Sequence, residues 1–268
     1  MKLGLLGKVL GHSMSPEIHE SLFRQEGCQS TYELLEVPEA ELEERLPRML
    51  ADYDGLNVTI PYKVAVIPFL DELSPEAKTI GAVNTIARKN GCLTGYNTDY
   101  TGFKRTLARI HCDMKGHSAV VLGHGGASRA IIQCLADEGA QDIAVISRHP
   151  DHIDSEFEAF ARARHAVIRG YDWVPSAPNP WLLVNATPVG MYPHMGVSPV
   201  PAEVTARFPK VVDIIYNPAE TQLLKDACGD RINGMYMLVM QAVAAEEIWM
   251  DREISEDTVQ AIVKEMMS

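Results

Sequence analysis

The chain contains Ser118-Ala119-Val120-Val121-Leu122-Gly123-His124-Gly125-Gly126-Ala127-Ser128-Arg129-Ala130, an apolar run that ends in glycines and passes into a helical pattern. The pattern predicts a buried strand, a tight turn and a helix that ends near Gly139. Glycines at 123 and 125 allow the backbone to turn sharply and to approach a pyrophosphate at the helix N-terminus. The stretch therefore favours a Rossmann-type dinucleotide-binding fold over a plain strand-turn-helix corner, which shares the spacing.

Further apolar runs follow at the spacing that a doubly wound nucleotide domain requires. They predict strands at Ile143 to Ser147, Trp181 to Ala186 and Val211 to Ile215, with helices between them. Segment 171–180 carries three prolines and is predicted to be a loop. Ser255 is predicted to cap a C-terminal helix.

The first hundred residues alternate short apolar runs with helical stretches, which favours a mostly parallel sheet. Strands are predicted at Leu3 to Leu6 and Tyr32 to Val37, and helices from Pro16 and around Leu42 to Leu50. The pair Asn90-Gly91 predicts one antiparallel hairpin. We therefore expect an α/β protein of two domains, the first mostly parallel α/β and the second of the Rossmann type.

Composition and charge exclude several classes of protein. The 268 residues carry a formal net charge of −12, which opposes binding to nucleic acid or to an anionic membrane. No apolar run reaches the length of a membrane span, and the N-terminal run is too short for a signal peptide. Five cysteines without CxxC spacing favour reduced thiols, and no metal site is expected. We expect a cytoplasmic protein, a monomer or a homodimer, that binds small molecules.

Polar side chains interrupt a second strand-like run, Asn57-Val58-Thr59-Ile60-Pro61-Tyr62-Lys63. Such a composition is typical of a binding site rather than of a surface. Asp99 follows Lys63 by thirty-six positions. A lysine and an aspartate in one site can act as a proton-transfer pair beside a redox cofactor. The alternative interpretation of these two residues is an ordinary ion pair.

Taken together, these segments resemble the shikimate dehydrogenase family over nearly the whole chain. Six motifs in the family's order carry the resemblance: Gly11 to Pro16, Asn57 to Lys63, Gly81 to Thr85, Gly95 to Asp99, Asn185 to Met191 and Gly234 to Gln241. The resemblance implies an enzyme of aromatic amino-acid biosynthesis that reduces 3-dehydroshikimate with NADPH. It also implies a substrate-binding domain of residues 1–101 with 237–268 and an NADP-binding Rossmann domain of residues 102–236.

The resemblance implies roles for individual residues as well. Lys63 and Asp99 would be the catalytic pair. The substrate would be bound by Ser13 and Ser15 through its carboxylate, and further by Asn57, Thr59, Asn84, Tyr216 and Gln241. The cofactor would be bound by Gly123, Gly125, Gly126, Ala127, Ser147, Arg148, Asn185, Thr187, Ile214 and Gly234. Four of these residues also have structural interpretations, as a helix N-cap, a strand residue, a turn residue and a solvated helix position: Ser15, Thr59, Asn84 and Gln241.

The end of the second Rossmann strand bears on the choice of cofactor. An acidic residue there binds a free 2′-hydroxyl, whereas a basic residue favours a 2′-phosphate. Ser147 and Arg148 end this strand, so we expect NADP, while Asp151 leaves NAD as the less favoured alternative. His124 stands where the family usually has alanine, and we expect its side chain to point outward because dinucleotide loops bind through backbone N–H groups.

Two alternative functions share this fold. A quinate/shikimate dehydrogenase that uses NAD would keep the same catalytic pair, but serine at both positions 13 and 15 is more typical of shikimate as the substrate. A non-catalytic regulator that senses a metabolite would need binding without proton transfer. The presence of both Lys63 and Asp99 therefore argues against a regulator.

Overall fold

The structure is a computed structural model that describes residues 1–11 and 13–267. His12, which belongs to the first motif, lies outside the described residues. The chain divides into two compact units, Met1–Gly102 with Val239–Ser268 and Phe103–Leu238. The assignment of substrate to one domain and NADP to the other, with the bounds given above, stays a prediction.

A mixed sheet forms the centre of the first unit. Its strands are β1 (Lys2–Gly7), β2 (Thr31–Glu36), β3 (Gly55–Val58), β4 (Glu72–Leu73), β5 (Thr85–Lys89) and β6 (Cys92–Tyr96). In the described residues they lie in the order β2-β1-β3-β5-β6-β4. β1 is parallel to β2 and β3, whereas β5 is antiparallel to β3 and β6. The predicted antiparallel hairpin is confirmed, and it turns at Asn90 and Gly91, whose φ angles are 53° and 82°.

The first unit also contains α1 (Ser15–Gln25), α2 (Leu42–Asp52), α3 (Pro75–Ile80) and the start of α4 (Thr98–Arg109), whose residues from Phe103 onward belong to the second unit. Leu42, Leu46 and Leu50 of α2 are buried against the sheet, as their helical spacing predicts. The N-cap interpretation of Ser15 is wrong, because Met14 occupies the cap position. The Ser13 hydroxyl instead accepts a hydrogen bond from the Ser15 backbone N–H at 3.2 Å.

The second unit contains a wholly parallel sheet. Its strands are β7 (Ser118–Leu122), β8 (Asp142–Ile146), β9 (Ala166–Arg169), β10 (Pro180–Asn185), β11 (Lys210–Asp213) and β12 (Asp230–Ile232). Within the part of the chain that the structure describes, the order is β12-β11-β10-β7-β8-β9 and every neighbouring pair is parallel. The first strand of the unit thus lies between its second and fourth, which is the Rossmann order. The predicted Rossmann-type fold is confirmed.

Helices α5 (Ser128–Asp137), α6 (Ser155–Arg162), α7 (Ala202–Thr205) and α8 (Gln222–Asp226) belong to the same unit. The prediction of a loop over 171–180 is wrong in part, since Tyr171–Ser176 forms a 3-10 helix. The fixed φ of Pro175 is compatible with a helical turn, and Val174 is buried in the core of the unit. Strands β9 and β12 have four and three residues and were not predicted.

The end of α9 (Gly234–Met250) and the whole of α10 (Glu256–Met266) belong to the first unit. The indole N–H of Trp249 donates to the carbonyl of Ile86 at 2.9 Å. A Cβ atom on Gly55 would overlap this indole, so only glycine fits at that position of β3. The predicted cap of α10 is confirmed, because the Ser255 hydroxyl accepts from the Thr258 backbone N–H at 3.2 Å. None of the helices in the described residues is long and apolar enough to cross a membrane.

The contact between Gly55 and Trp249 gives a test of this packing. Gly55→Ala is expected to lower the free energy of unfolding by about 1–3 kcal/mol, because the added methyl group must displace the indole and strain its hydrogen bond. Urea unfolding followed by circular dichroism measures the change. Gly11→Ala is the matched control, since a Cβ atom at Gly11 meets no atom within 4 Å. Equal midpoints for the two variants would contradict the packing described for α9.

Candidate active site

Lys63 and Asp99 form an ion pair in the first unit, in which Lys63 Nζ donates to Asp99 Oδ2. Their side chains are only 17% and 13% exposed, so the pair is partly shielded and still reachable by a ligand. Asp99 lies in the first turn of α4, and the carbonyl of Lys63 accepts from the Val83 N–H at 2.7 Å. The structure therefore brings the two predicted catalytic residues together, as an N–H donor beside a carboxylate.

Asn57 is held in a fixed orientation within the same unit. Its amide Nδ2 donates to the Asn84 carbonyl at 3.3 Å and to Thr85 Oγ1 at 3.0 Å, while its Oδ1 accepts from the Tyr32 hydroxyl at 2.7 Å. A backbone carbonyl can only accept, so the atom that faces it must be the amide nitrogen. Both N–H groups of Asn57 are thus used. Asn57 can offer a ligand only its carbonyl oxygen.

Asn84 has the opposite polarity. Its Oδ1 accepts from the backbone N–H of Thr98 at 2.6 Å and from the Thr98 hydroxyl at 3.2 Å. A backbone N–H can only donate, so the amide nitrogen of Asn84 faces the other way. This Nδ2 group has no acceptor among the residues that the structure describes. Asn84 can therefore offer a ligand two N–H donors.

The other predicted substrate residues are distributed over both units. Ser13 is half-buried and Ser15 is buried. Thr59 is half-buried directly after β3, and Gln241 lies half-buried in α9. Tyr216, in contrast, belongs to the second unit, where burial raises its pKa.

The predicted cofactor residues follow the carboxyl ends of four neighbouring strands of the second unit. Gly123 follows β7, Ser147 follows β8, Thr187 follows β10 and Ile214 follows β11. The carboxyl ends of parallel strands share one edge of the sheet, and the strand order reverses between β7 and β10, where Rossmann folds bind nucleotides. A Cβ atom on Gly123, whose φ is 97°, would lie 2.8 Å from Thr187 Cγ2. The two loops thus meet at this edge.

The turn into α5 is open on its outer side. A Cβ atom on Gly125 would meet nothing within 4 Å, and Gly126 is exposed as well. The buried Ser128 hydroxyl donates to the Gly123 carbonyl at 3.1 Å and ties the turn to the strand. Backbone N–H groups at such a helix start favour an anion. His124 is exposed, and its ring centroid lies 5.6 Å from that of Phe157.

Ser147 and Arg148 differ in exposure at the end of β8. Ser147 is buried, and its hydroxyl accepts from the His149 N–H at 3.1 Å. Arg148 is exposed, and no carboxylate in the described part of the chain pairs with it. Burial raises the pKa of Tyr171, and the Arg148 guanidinium nearby opposes that rise. The guanidinium is therefore available to an anionic ligand.

Comparisons with known proteins identify the family. A family model described as the shikimate dehydrogenase substrate binding domain matches residues 5–86. The shikimate dehydrogenase (NADP(+)) of Clostridium perfringens (strain SM101 / Type A) is 40% identical over 272 residues, which cover 99% of this chain and 98% of that protein. The chain belongs to the shikimate dehydrogenase family.

Solved structures agree with this assignment. A chorismate mutase/shikimate 5-dehydrogenase fusion protein from Clostridium acetobutylicum is 42% identical, with a TM-score of 0.92 and coverage of 99% of this chain and 97% of that chain. The shikimate 5-dehydrogenase of Thermus thermophilus, in complex with NADP(H) and shikimate, is 32% identical, with a TM-score of 0.85 and coverage of 99% of both chains. The predicted resemblance to this family is confirmed.

One residue of this shikimate dehydrogenase family member was missed by sequence reasoning. Asp213, at the end of β11, is fully buried and accepts hydrogen bonds from Asn185 Nδ2 at 3.0 Å, the Ile215 N–H at 3.1 Å and the Thr221 hydroxyl at 2.6 Å. Asn185 in turn accepts from the backbone N–H and the hydroxyl of Thr187. A lone carboxylate inside the apolar run from Val211 to Ile215 was the signal that could have indicated it.

Burial raises the pKa of Asp213 to about 6 from 3.8, against the opposing effect of its hydrogen bonds. A raised carboxyl pKa favours the fold when the group is protonated, so this contribution is complete below about pH 4 and is lost as the pH rises through 6. A shift of about two units corresponds to about 3 kcal/mol.

Asp213→Asn is therefore expected to gain stability relative to the parent as the pH rises from 4 to 8, by up to about 3 kcal/mol. The amide can keep all three hydrogen bonds if the Thr221 hydroxyl accepts instead of donates. Urea unfolding of both proteins across this pH range measures the difference. The exposed Asp142→Asn is the control and should give a flat difference. A flat difference for Asp213→Asn as well would contradict the buried charge.

Proposed function

We propose that this chain is an NADP-dependent shikimate dehydrogenase that catalyses the reversible reduction of 3-dehydroshikimate to shikimate. The contact between Lys63 and Asp99 carries the proposal, because it places a proton donor beside a carboxylate in a chain whose whole length matches NADP-dependent shikimate dehydrogenases. We further propose that the enzyme acts in the cytoplasm on this small-molecule substrate, as a monomer or a homodimer.

Lys63 and Asp99 are proposed to carry out the proton transfer that accompanies hydride transfer. When bound, the nicotinamide cofactor supplies a hydride to the ring ketone, and an alkoxide develops on the oxygen. The Lys63 ammonium stabilises that charge and can protonate the oxygen, while Asp99 orients Lys63 and accepts a hydrogen bond from a substrate hydroxyl. In shikimate oxidation the same groups work in reverse. Since the two side chains contact each other, we expect them to act as a unit.

The polarity of the two asparagines fits a polyhydroxylated ring. Asn57 accepts and Asn84 donates, and a hydroxyl group can serve both. Hydroxyl donors suit a carboxylate, which only accepts, and we assign the substrate carboxylate to Ser13 and Ser15. Thr59, Gln241 and Tyr216 are proposed to complete the substrate site.

The carboxyl edge of the Rossmann sheet is proposed to bind NADP. The open turn of Gly123, Gly125, Gly126 and Ala127 is assigned to the pyrophosphate. Ser147 and Arg148 are assigned to the 2′-phosphate, because an unpaired guanidinium suits a phosphate group. The remaining cofactor residues lie at or just after the ends of the neighbouring strands: Asn185, Thr187, Ile214 and Gly234. A Cβ atom on Gly234 would overlap the Ile214 carbonyl, so glycine is required for this close approach.

Initial rates of oxidation of shikimate and quinate, each with NADP and with NAD, test the function directly. We expect shikimate with NADP to be fastest, and Lys63→Ala to lower its kcat by about 10²–10⁴ with a small change in KM, because proton transfer is lost while binding is kept. Lys89→Ala, which removes a surface ion pair with Asp251, is the matched control and should keep full turnover.

Each other outcome of these assays has a distinct meaning. Faster turnover of quinate or of NAD would move the protein to a quinate/shikimate dehydrogenase that uses NAD. The absence of turnover with all four pairs would favour a metabolite sensor. Equal kcat values for the parent and Lys63→Ala would contradict the catalytic role of the lysine.

Arg148→Ala tests the proposed 2′-phosphate contact. Because a hydrogen bond to a charged group contributes about 1.5–3 kcal/mol, we expect the KM for NADP to rise by about 10- to 100-fold. The KM for NAD should stay within about twofold, since NAD lacks the phosphate. Arg162→Ala is the control, because Arg162 is an exposed arginine that pairs with Glu158 on α6. An equal rise for both cofactors would contradict the assignment of Arg148.

A further inference from the structure

Tyr32 of β2 lies between two residues that are proposed to bind the substrate. Its hydroxyl donates to Asn57 Oδ1 at 2.7 Å, and an interaction with Ser15 lowers the pKa of the same hydroxyl. Tyr32 is buried. The side chain can therefore influence the site through Asn57 and Ser15 without being part of its surface.

The ring of Tyr32 stacks on one member of a buried, hydrogen-bonded pair, His19 and Glu246. It stacks on the His19 ring with a centroid distance of 4.0 Å and an interplanar angle of 10°. His19 Nδ1 lies 2.5 Å from Glu246 Oε1, and both side chains are 0% exposed. Because α1 supplies His19 and α9 supplies Glu246, two helices fix the plane of the ring on the sheet.

This buried pair of side chains is poorly suited to stabilising the fold. His19 Nε2 and Glu246 Oε2 are both buried and have no hydrogen-bond partner among the described residues. A buried pair with unpaired atoms recovers its desolvation cost poorly, whereas buried polar groups of this kind can specify one arrangement of the side chains around them. The arrangement specified here is the stacked position of Tyr32.

The hydroxyl of Tyr32 stays protonated. Burial raises the pKa of Tyr32 well above its usual range, and the Glu246 carboxylate raises it further, while the nearby Ser15 lowers it by less. The hydroxyl is therefore a donor throughout the working range of the enzyme. A permanent donor keeps one lone pair of Asn57 Oδ1 occupied and leaves the other for a ligand.

We propose that Tyr32 is a positioning residue that fixes the direction in which the Asn57 carbonyl oxygen faces the substrate, which selects a hydroxyl group over a carboxylate at this point of the ring. The inference deepens the proposed function and depends on it for its kinetic test. Without the hydroxyl, the amide keeps only the bonds of 3.0 and 3.3 Å from its nitrogen, which leave its oxygen free to tilt. A site that is built to accept from a hydroxyl rejects ligands that lack the donor.

Tyr32→Phe removes the hydroxyl and keeps the stacked ring. We expect the KM for shikimate to rise by about three- to tenfold, as for the loss of one hydrogen bond, with kcat within about twofold and the KM for NADP unchanged. Tyr53→Phe is the matched control, since the Tyr53 hydroxyl bonds only the Glu33 carboxylate in the same unit. All three constants should remain at the parent values in this control. An unchanged KM for shikimate in Tyr32→Phe would overturn the inference.

A double-mutant cycle shows which residue transmits the effect. If Tyr32 acts through Asn57, then Tyr32→Phe should add nothing to the KM of Asn57→Ala. A further rise in that background would place the effect on Ser15 and overturn the inference.

A readout without turnover separates this inference from the proposed function. The side-chain amide resonances of Asn57 in nuclear magnetic resonance spectra should shift in Tyr32→Phe and stay unchanged in Tyr53→Phe, whichever substrate the enzyme uses. Unchanged Asn57 resonances in Tyr32→Phe would overturn the positioning role, whereas a parent that fails to oxidise shikimate would overturn only the function.

Discussion

Buried polar side chains must find hydrogen-bond partners, and this requirement organises both units of the protein. In the first unit, a continuous series of hydrogen bonds runs from Tyr32 through Asn57 and Asn84 to Thr98 at the start of α4. Asp99 is the next residue. The hydrogen bonds that hold these buried side chains therefore also fix the start of the helix that carries one member of the proposed catalytic pair.

In the second unit, the buried polar groups are joined by hydrogen bonds to a carboxylate. Asp213 collects three donors but has no cationic partner among the described residues, so its carboxylate is stabilised only by hydrogen bonds. Two of those donors come from Asn185 and Ile215, which lie at the ends of neighbouring strands. The carboxylate thus joins the carboxyl ends of β10 and β11 at the edge where the cofactor is proposed to bind. Order at this edge is obtained at the cost of burying a charge.

Local patterns predicted the elements that are long or apolar. The run before Gly123, the periodic leucines of α2 and the Asn90-Gly91 turn each carry a strong signal within a few residues. Strands β9 and β12 carry a weak signal, because β9 offers only three apolar residues in a row and β12 only one, which is too short for either pattern. The N-cap interpretation of Ser15 was reasonable from the sequence, yet the structure uses Met14 instead.

The resemblance named the residues of the candidate site, whereas contacts between distant positions were hidden in the sequence. His19 and Glu246 are 227 residues apart, and nothing in either neighbourhood indicates that they pair. The polarity of Asn57 and Asn84 was equally hidden, because an amide donates and accepts until its partners are known. Those partners remove the ambiguity. A carboxylate opposite Asn57 would face an oxygen with no proton to share, so Asn57 suits a ligand hydroxyl group, whereas the N–H groups of Asn84 suit any acceptor, a distinction that residue types alone leave open.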